Sequence, residues 1–221
     1  MKNVIAADDV ALLAAWRAGD GGAGDTLVGR YYVGVLRFFE LRTRVAEDLT
    51  QQTFLACVER RDDIKLACGF RAYLYGIARN KLLQHLAEKK RLSRMASFDE
   101  EPAAAGAGMT TFVAKKEEQR LLLQAIVEMP VDTQILFGLY YWEGMMAKEI
   151  AEVLGVSQST IASRLARGRE LLRSLIARLG GSRRSAQRVD VELEQWLRSL
   201  ADDAGTGAVP ALPRLSTTRR R

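Results

Sequence analysis

An all-α fold, built as two small helical domains joined by a flexible linker and followed by a C-terminal extension, is what this sequence predicts. Three features point to it. Apolar residues recur three and four positions apart along most of the chain, the period of helices that bury one face. Only four prolines occur in 221 residues, and no run alternates β-branched with polar residues as a half-buried strand does. Residues 96–111, ASFDEEPAAAGAGMTT, lack large apolar side chains and separate the two periodic regions. The domains are expected at 1–95 and 115–179, with the linker at 96–114 and the extension at 180–221. The formal net charge of +6 favours an anionic partner, nucleic acid before a membrane surface.

In the first region Leu12, Leu13 and Trp16 open a helix, which GDGGAG at 19–24 interrupts. Leu27, Val28, Tyr31, Tyr32, Val35, Leu36 and Phe39 then form a broad apolar stripe that a second helix must bury. A third helix is expected from Val45 to Arg60. Its Leu49, Thr53 and Ala56 face the bundle, leaving Asp48, Gln51, Phe54, Leu55 and Val58 on a second side, both greasy and polar, that suits a partner helix. Burial of both sides inside the bundle is the competing reading. The fourth helix, Phe70 to Lys90, has a length of about 30 Å. It directs Phe70, Tyr73, Leu74, Ile77 and Ala78 inward and carries Arg71, Tyr75 and Arg79 as a separate stripe. Arginines beside an aromatic ring suit a melted strand, although such a stripe is also an ordinary solvated surface.

The second region runs from Lys115 to Leu179, with breaks at Met129-Pro130, Gly144 and Gly155. Ala147 to Leu154 reads as a short helix, Gly155 as a turn, and Ser157 to about Leu175 as a longer helix capped by Ser157. That is helix-turn-helix spacing. In the longer helix Ile161, Leu165, Gly168 and Leu172 share one side, while Ser159, Ser163, Ala166 and Arg167 look outward. Short polar side chains let a helix approach base edges in a major groove, and Arg164, Arg167, Arg169 and Arg173 can add phosphate contacts. Two packed amphipathic helices with a solvated basic face are the plainer alternative.

Beyond Leu179 one short acidic helix is expected at about 190–201, with Leu193, Trp196, Leu197 and Leu200 on one face, followed by a stretch that reads as disordered. The helix suits packing on the second domain or docking over a basic DNA-facing surface. Cys57 and Cys68 lack metal-ligand spacing, and His85 is the one histidine, so no metal and no cofactor are expected. No phosphate loop or nucleophile-base signature is visible, so no catalytic residue is assigned and an enzyme is the least expected class. The N-terminal segment MKNVIAADDV has no signal-peptide pattern and no run reaches membrane-spanning length, which makes the cytoplasm, without membrane insertion, the expected location.

Three segments carry a family resemblance. AEDLTQQTFLACVE resembles sigma region 2.2, and FRAYLYGIARNKL resembles the FraWLyrIArN segment that follows it. EIAEVLGVSQSTIASRL resembles the EIAxxLgvsxgTVxSRl core of region 4 through Glu149, Ile150, Ala151, Leu154, Gly155, Val156, Ser157, Thr160, Ser163 and Arg164. From residue 10 to 178 the chain is similar to the extracytoplasmic-function (group IV) sigma factors of the sigma-70 family. The resemblance implies a non-catalytic subunit that binds core RNA polymerase through Asp48, Gln51 and Phe54. It implies capture of the melted minus-10 element by Arg71, Tyr75, Arg79 and Asn80, with the loop Arg61 to Gly69 as a wall. It implies reading of the duplex minus-35 element by Gln158, Ser159, Thr160, Ser163, Arg164 and Arg167, and an anti-sigma factor as a further partner. The chain departs from the family at Tyr73 (usually Trp), Gln84 (Asp), Gln134 (Arg) and Gly168 (Ala). A helix-turn-helix regulator acting without polymerase and a sigma-like sequestering adaptor are the alternatives.

Overall fold

The computed structural model describes residues 4–64, 69–95 and 117–179, with side chains from residues 9 and 121 onward in the first and last of these segments. The expected linker and the C-terminal extension with its acidic helix lie outside the described residues, as do residues 65–68 of the proposed wall loop.

Four helices make the first domain: α1 (Val4–Arg17), α2 (Gly21–Glu40), α3 (Ala46–Glu59) and α4 (Phe70–Met95), with a single 3-10 turn, Arg61–Asp63, after α3. The interruption expected at 19–24 is shorter than its glycines suggest: residues 21–24 already belong to α2, which Asp20 caps. The Asp20 carboxylate accepts from the main-chain N–H of Gly22 at 2.9 Å and of Ala23 at 3.3 Å, taking up donors that a helix start leaves free. The apolar stripe of α2 is buried as its spacing requires, with Leu27, Val35 and Phe39 wholly removed from solvent. Asp9 ties α1 to α2: its buried carboxylate accepts from the guanidinium of Arg30 and the hydroxyl of Tyr31. Arg17, at the end of α1, donates to the carbonyls of Arg61 (2.9 Å) and Ile64, which pins the 3-10 turn to α1.

The second domain contains α5 (Glu117–Glu128), α6 (Val131–Phe137), α7 (Ala147–Leu154) and α8 (Gln158–Arg178). A π-helical turn, Gly138–Trp142, continues α6. Gln134, where the family usually has Arg, is buried, and its amide donates to the carbonyls of Val127 (3.0 Å) and Met129 (2.9 Å), closing the end of α5. At Gly168 a Cβ would stand 2.6 Å from the Phe137 ring, so the departure from alanine follows from how closely α8 packs on α6. The two domains touch along α4, which packs on α2 and α3 and also lies against α7.

Candidate nucleic-acid interface

Helix α7 ends at Gly155, which has φ +65°, a left-handed conformation that reverses the chain without the Cβ penalty other residues carry. The N–H of Val156 then closes back on the carbonyl of Ala151 at 3.0 Å. At the other end of α7 the Glu149 carboxylate accepts from the N–H of Met146 at 2.7 Å, so this family-matched acid is a helix cap. Ser157 occupies the cap position of α8, but its hydroxyl bonds the hydroxyls of Thr160 (2.7 Å) and Ser159 (3.0 Å) rather than a main-chain N–H. Ile161, Leu165, Gly168 and Leu172 are buried, as their spacing predicts. Gln158, Ser159, Ser163, Arg164 and Arg167 are exposed and Thr160 is half-buried, so five of the six expected minus-35 residues line an open helix face. Arg169 is held inward instead, donating to the Tyr141 hydroxyl at 2.9 Å.

On α3, Asp48 and Gln51 are exposed as expected, whereas Phe54 is not on that surface. Its ring is buried and stacks on Tyr32, centroids 6.0 Å apart and planes 18° from parallel. The helical period leaves Phe54 between the two faces, and the large ring gains more by packing on α2 than by standing in water. Leu55 takes the exposed place, at 59% of its full accessibility. A leucine on a polar face was present in the sequence, but periodicity could not tell which of two adjacent apolar residues turns outward.

The expected outward stripe of α4 is corrected at Tyr75. Its side chain is wholly buried, edge-on to Phe38 at 5.8 Å, and its hydroxyl meets the Glu143 carboxylate of the second domain beside Gly34. Burial, reinforced by that carboxylate, holds the phenol well above its ordinary pKa. Arg71 is half-buried and donates to the main-chain carbonyl of Glu143. Arg79 stands 3.6 Å from the Asp132 carboxylate with its side chain 23% exposed. Asn80 alone of the four expected minus-10 residues is exposed.

Arg42 joins this seam from the turn after α2. Its guanidinium is buried over the Phe38 ring, 4.6 Å from the centroid, and donates to the carbonyls of Phe38 and Gln134. Burial pulls its pKa down to about 9, against the opposing pull of Glu143. No pattern in the sequence marked Arg42 or Glu143, because their roles arise from contacts far apart in the chain, 92 positions for Arg42 with Gln134 and 72 for Glu143 with Arg71. Among the described residues no group of His, Cys, Asp and Glu gathers that could hold a metal, and no helix is long and apolar enough to cross a membrane.

Comparison with known proteins places both halves. Residues 27–92 match Sigma-70 region 2, and residues 119–172 match Sigma-70, region 4. The chain belongs to the sigma-70 family. Its relatives place it among the extracytoplasmic-function (ECF) sigma factors of that family, with the function of an RNA polymerase sigma factor. The ECF RNA polymerase sigma factor SigM of Mycobacterium tuberculosis is 27% identical over 174 residues, 77% of this chain and 86% of that protein. A probable RNA polymerase sigma factor of Xanthomonas campestris, RfaY, is 27% identical over 138 residues, 58% of this chain but 33% of that longer relative. The fold is shared with the sigma factor RpoE of Bartonella quintana, solved in complex with the anti-sigma factor NepR, at a TM-score of 0.55 and 20% identity, covering 69% of this chain and 96% of that one. In sigma-70 terms, the region 2 match covers most of α2 with α3 and α4, and the region 4 match covers most of α5–α8, with the helix-turn-helix at α7 and α8.

Proposed function

We propose that this sigma factor binds core RNA polymerase through the exposed face of α3, captures the melted minus-10 strand with α4, and reads duplex minus-35 DNA with α8. The units are residues 1–95 and 115–179, with 96–114 as the tether and 180–221 as an extension. Core binding is assigned to Asp48 and Gln51 with Leu55 beside them, and Phe54 supports that helix from behind. Arg71, Arg79 and Asn80 are assigned to the melted strand, Arg71 and Arg79 as phosphate ligands and Asn80 as a base-edge partner. Tyr75 braces α4 from the core. Gln158, Ser159, Thr160, Ser163, Arg164 and Arg167 are assigned to the minus-35 duplex.

The observation that carries this reading is the pair of family regions in their natural order, with the helix-turn-helix face left open by the packing. The protein is a binding subunit rather than an enzyme: its chemistry is recognition, and nucleotide addition belongs to the polymerase. It works where the polymerase works, in the cytoplasm. An anti-sigma factor is proposed as a further partner, supported by the solved relative that carries one.

In vitro transcription with purified core polymerase and a promoter-fragment library tests the reading. Intact protein is expected to start transcripts at templates sharing two spaced elements, and an Asp48→Ala, Leu55→Asp double variant to lose them. Duplex binding without any effect on polymerase would instead make the chain a polymerase-independent regulator.

A further inference from the structure

We propose that residues 190–201 fold back as an amphipathic helix onto the free C-terminal end of α4, residues 88–95, so that an acidic segment of this chain covers a basic and apolar spur of its own first domain.

The spur shows in the burial of α4. Leu82 is the last buried residue of the helix, and every residue from Ala87 to Met95 is exposed. About two and a half turns therefore stand beyond the bundle. Such an end gains no packing, and packing is what gives most helices their stability in water. Leu92 is 54% exposed and Met95 70%, three positions apart and so on one side of the helix. Lys89, Lys90, Arg91 and Arg94 surround them. Glu88 is the one acid of the spur, and its approach to Arg91 at 3.9 Å joins two largely exposed side chains, which neutralises little.

The C-terminal segment has the complementary pattern. Leu193, Trp196, Leu197 and Leu200 fall on one side at helical spacing, and Arg198 is the one cation among five acids between residues 190 and 203. Its apolar side needs an apolar surface, and its charge favours cations around that surface. Two other exposed faces offer half of this. Leu55 is flanked along its helix by Gln51, Gln52 and Glu59, which bring no positive charge. The exposed Arg164 and Arg167 of α8 have no large exposed apolar side chain on their helix.

The chain can make the connection. Arg178, at the end of α8, pairs with Glu128. Four residues on from Glu128, Asp132 stands 3.6 Å from Arg79 of α4. From Arg79 to Leu92 is about 20 Å along the helix. Residues 180–189, GGSRRSAQRV, span up to about 35 Å when extended. Docked on the spur, the segment lies where the 96–114 tether leaves the first domain, and it gives an apolar partner to a helix end that otherwise stands in water.

Hydrogen–deuterium exchange on the full chain tests the docking, read from peptides covering 88–95 and 190–201. Two double variants attack it from opposite sides: Leu92→Asp with Met95→Asp on the spur, and Trp196→Asp with Leu200→Asp on the segment. The two α4 positions are exposed, so the core of the first domain is untouched, and an unchanged melting temperature verifies this. Each double variant is expected to speed exchange about tenfold in both peptides, the one it alters and the one it does not. Salt raised to about 0.5 M is expected to speed exchange in both peptides as well, because the facing charges are near the surface. A double variant that changes only its own peptide overturns the docking, as does a parent chain whose 190–201 peptide exchanges as fast as an unfolded one. Exchange indifferent to salt overturns the pairing of acids with the basic spur. Protection that rises with protein concentration, with dimers in analytical ultracentrifugation, gives the surface to a second copy and overturns the fold-back.

Discussion

Arg42 reaches across the joint between the two domains and donates from Nη2 to the main-chain carbonyl of Gln134 at 2.6 Å, while its residue as a whole is only 5% exposed. A cation in that place is costly to dehydrate, and what it gains is a tie between the end of α2 and the start of α6. The contact links the two described halves of the chain.

Replacing Arg42 by methionine keeps the length of the side chain and removes the charge. Loss of two carbonyl hydrogen bonds is offset by relief of the desolvation cost, so stability from urea denaturation is expected to change by less than about 1 kcal/mol. A fall beyond about 3 kcal/mol would mean that the buried cation is itself a major stabilising element.

Asp9 is a different case, because its neighbours depend on it. Asp9→Ala leaves the Tyr31 hydroxyl buried without its acceptor and removes the acid from Arg30, for an expected loss of about 3 kcal/mol. Asp9→Asn, which keeps an acceptor oxygen, is expected to lose less. Equal losses in the two variants would assign the effect to shape rather than to charge.

Neighbouring residues of α3 are expected to separate folding from binding. Phe54→Ala opens a cavity against Tyr32 and is expected to cost about 3 kcal/mol of stability. Leu55→Asp, at an exposed position, is expected to leave the melting temperature unchanged and to weaken binding to core polymerase in a fluorescence titration. The opposite pattern would place Phe54 on the partner-facing side after all.

On α8, Arg167→Ala is expected to weaken binding to promoter duplex and to reduce the slope of log affinity against log salt by about one if Arg167 contacts a phosphate. If affinity falls at cognate sequence but the salt slope holds, Arg167 reads a base edge instead. No change in either would remove it from the interface.

Alkaline titration follows from two buried phenols. Burial raises Tyr31, with the Asp9 hydrogen bond adding to it, and burial raises Tyr75, with Glu143 adding to it. Their folded-state values lie above the unfolded value near 10, so the stability they contribute is fully present below pH 10 and is lost as pH climbs toward those raised values. Tyrosinate absorbance should show these two phenols silent in the folded chain above pH 10, ionising only as the fold gives way. Smooth titration of all six tyrosines before unfolding would contradict their burial.

The sequence was most legible where a local pattern has one physical outcome. The spacing of Ile161, Leu165, Gly168 and Leu172 has a single buried side, and Gly155 between two short helical patterns has one economical conformation. Phe54 and Tyr75 were misread because each is an aromatic at the border of a helical face, where the period allows either side and neighbouring helices decide. Phe54 went to Tyr32, and Tyr75 went to Phe38.

By itself, then, the sequence determined an all-helical chain, the helix-turn-helix with its outward polar face, and a family membership carried by three short segments. Those properties depend on neighbours a few residues apart, which the order of the chain already places together. Only the tertiary structure decided that Arg42 lies over Phe38 and bonds Gln134, that Glu143 meets Tyr75 beside Gly34, and that Arg71 and Arg79 are engaged by region 4. These contacts join residues on separate helices. Their existence depends on how two apolar cores come to rest against each other, and on two glycines leaving room for the polar groups between them.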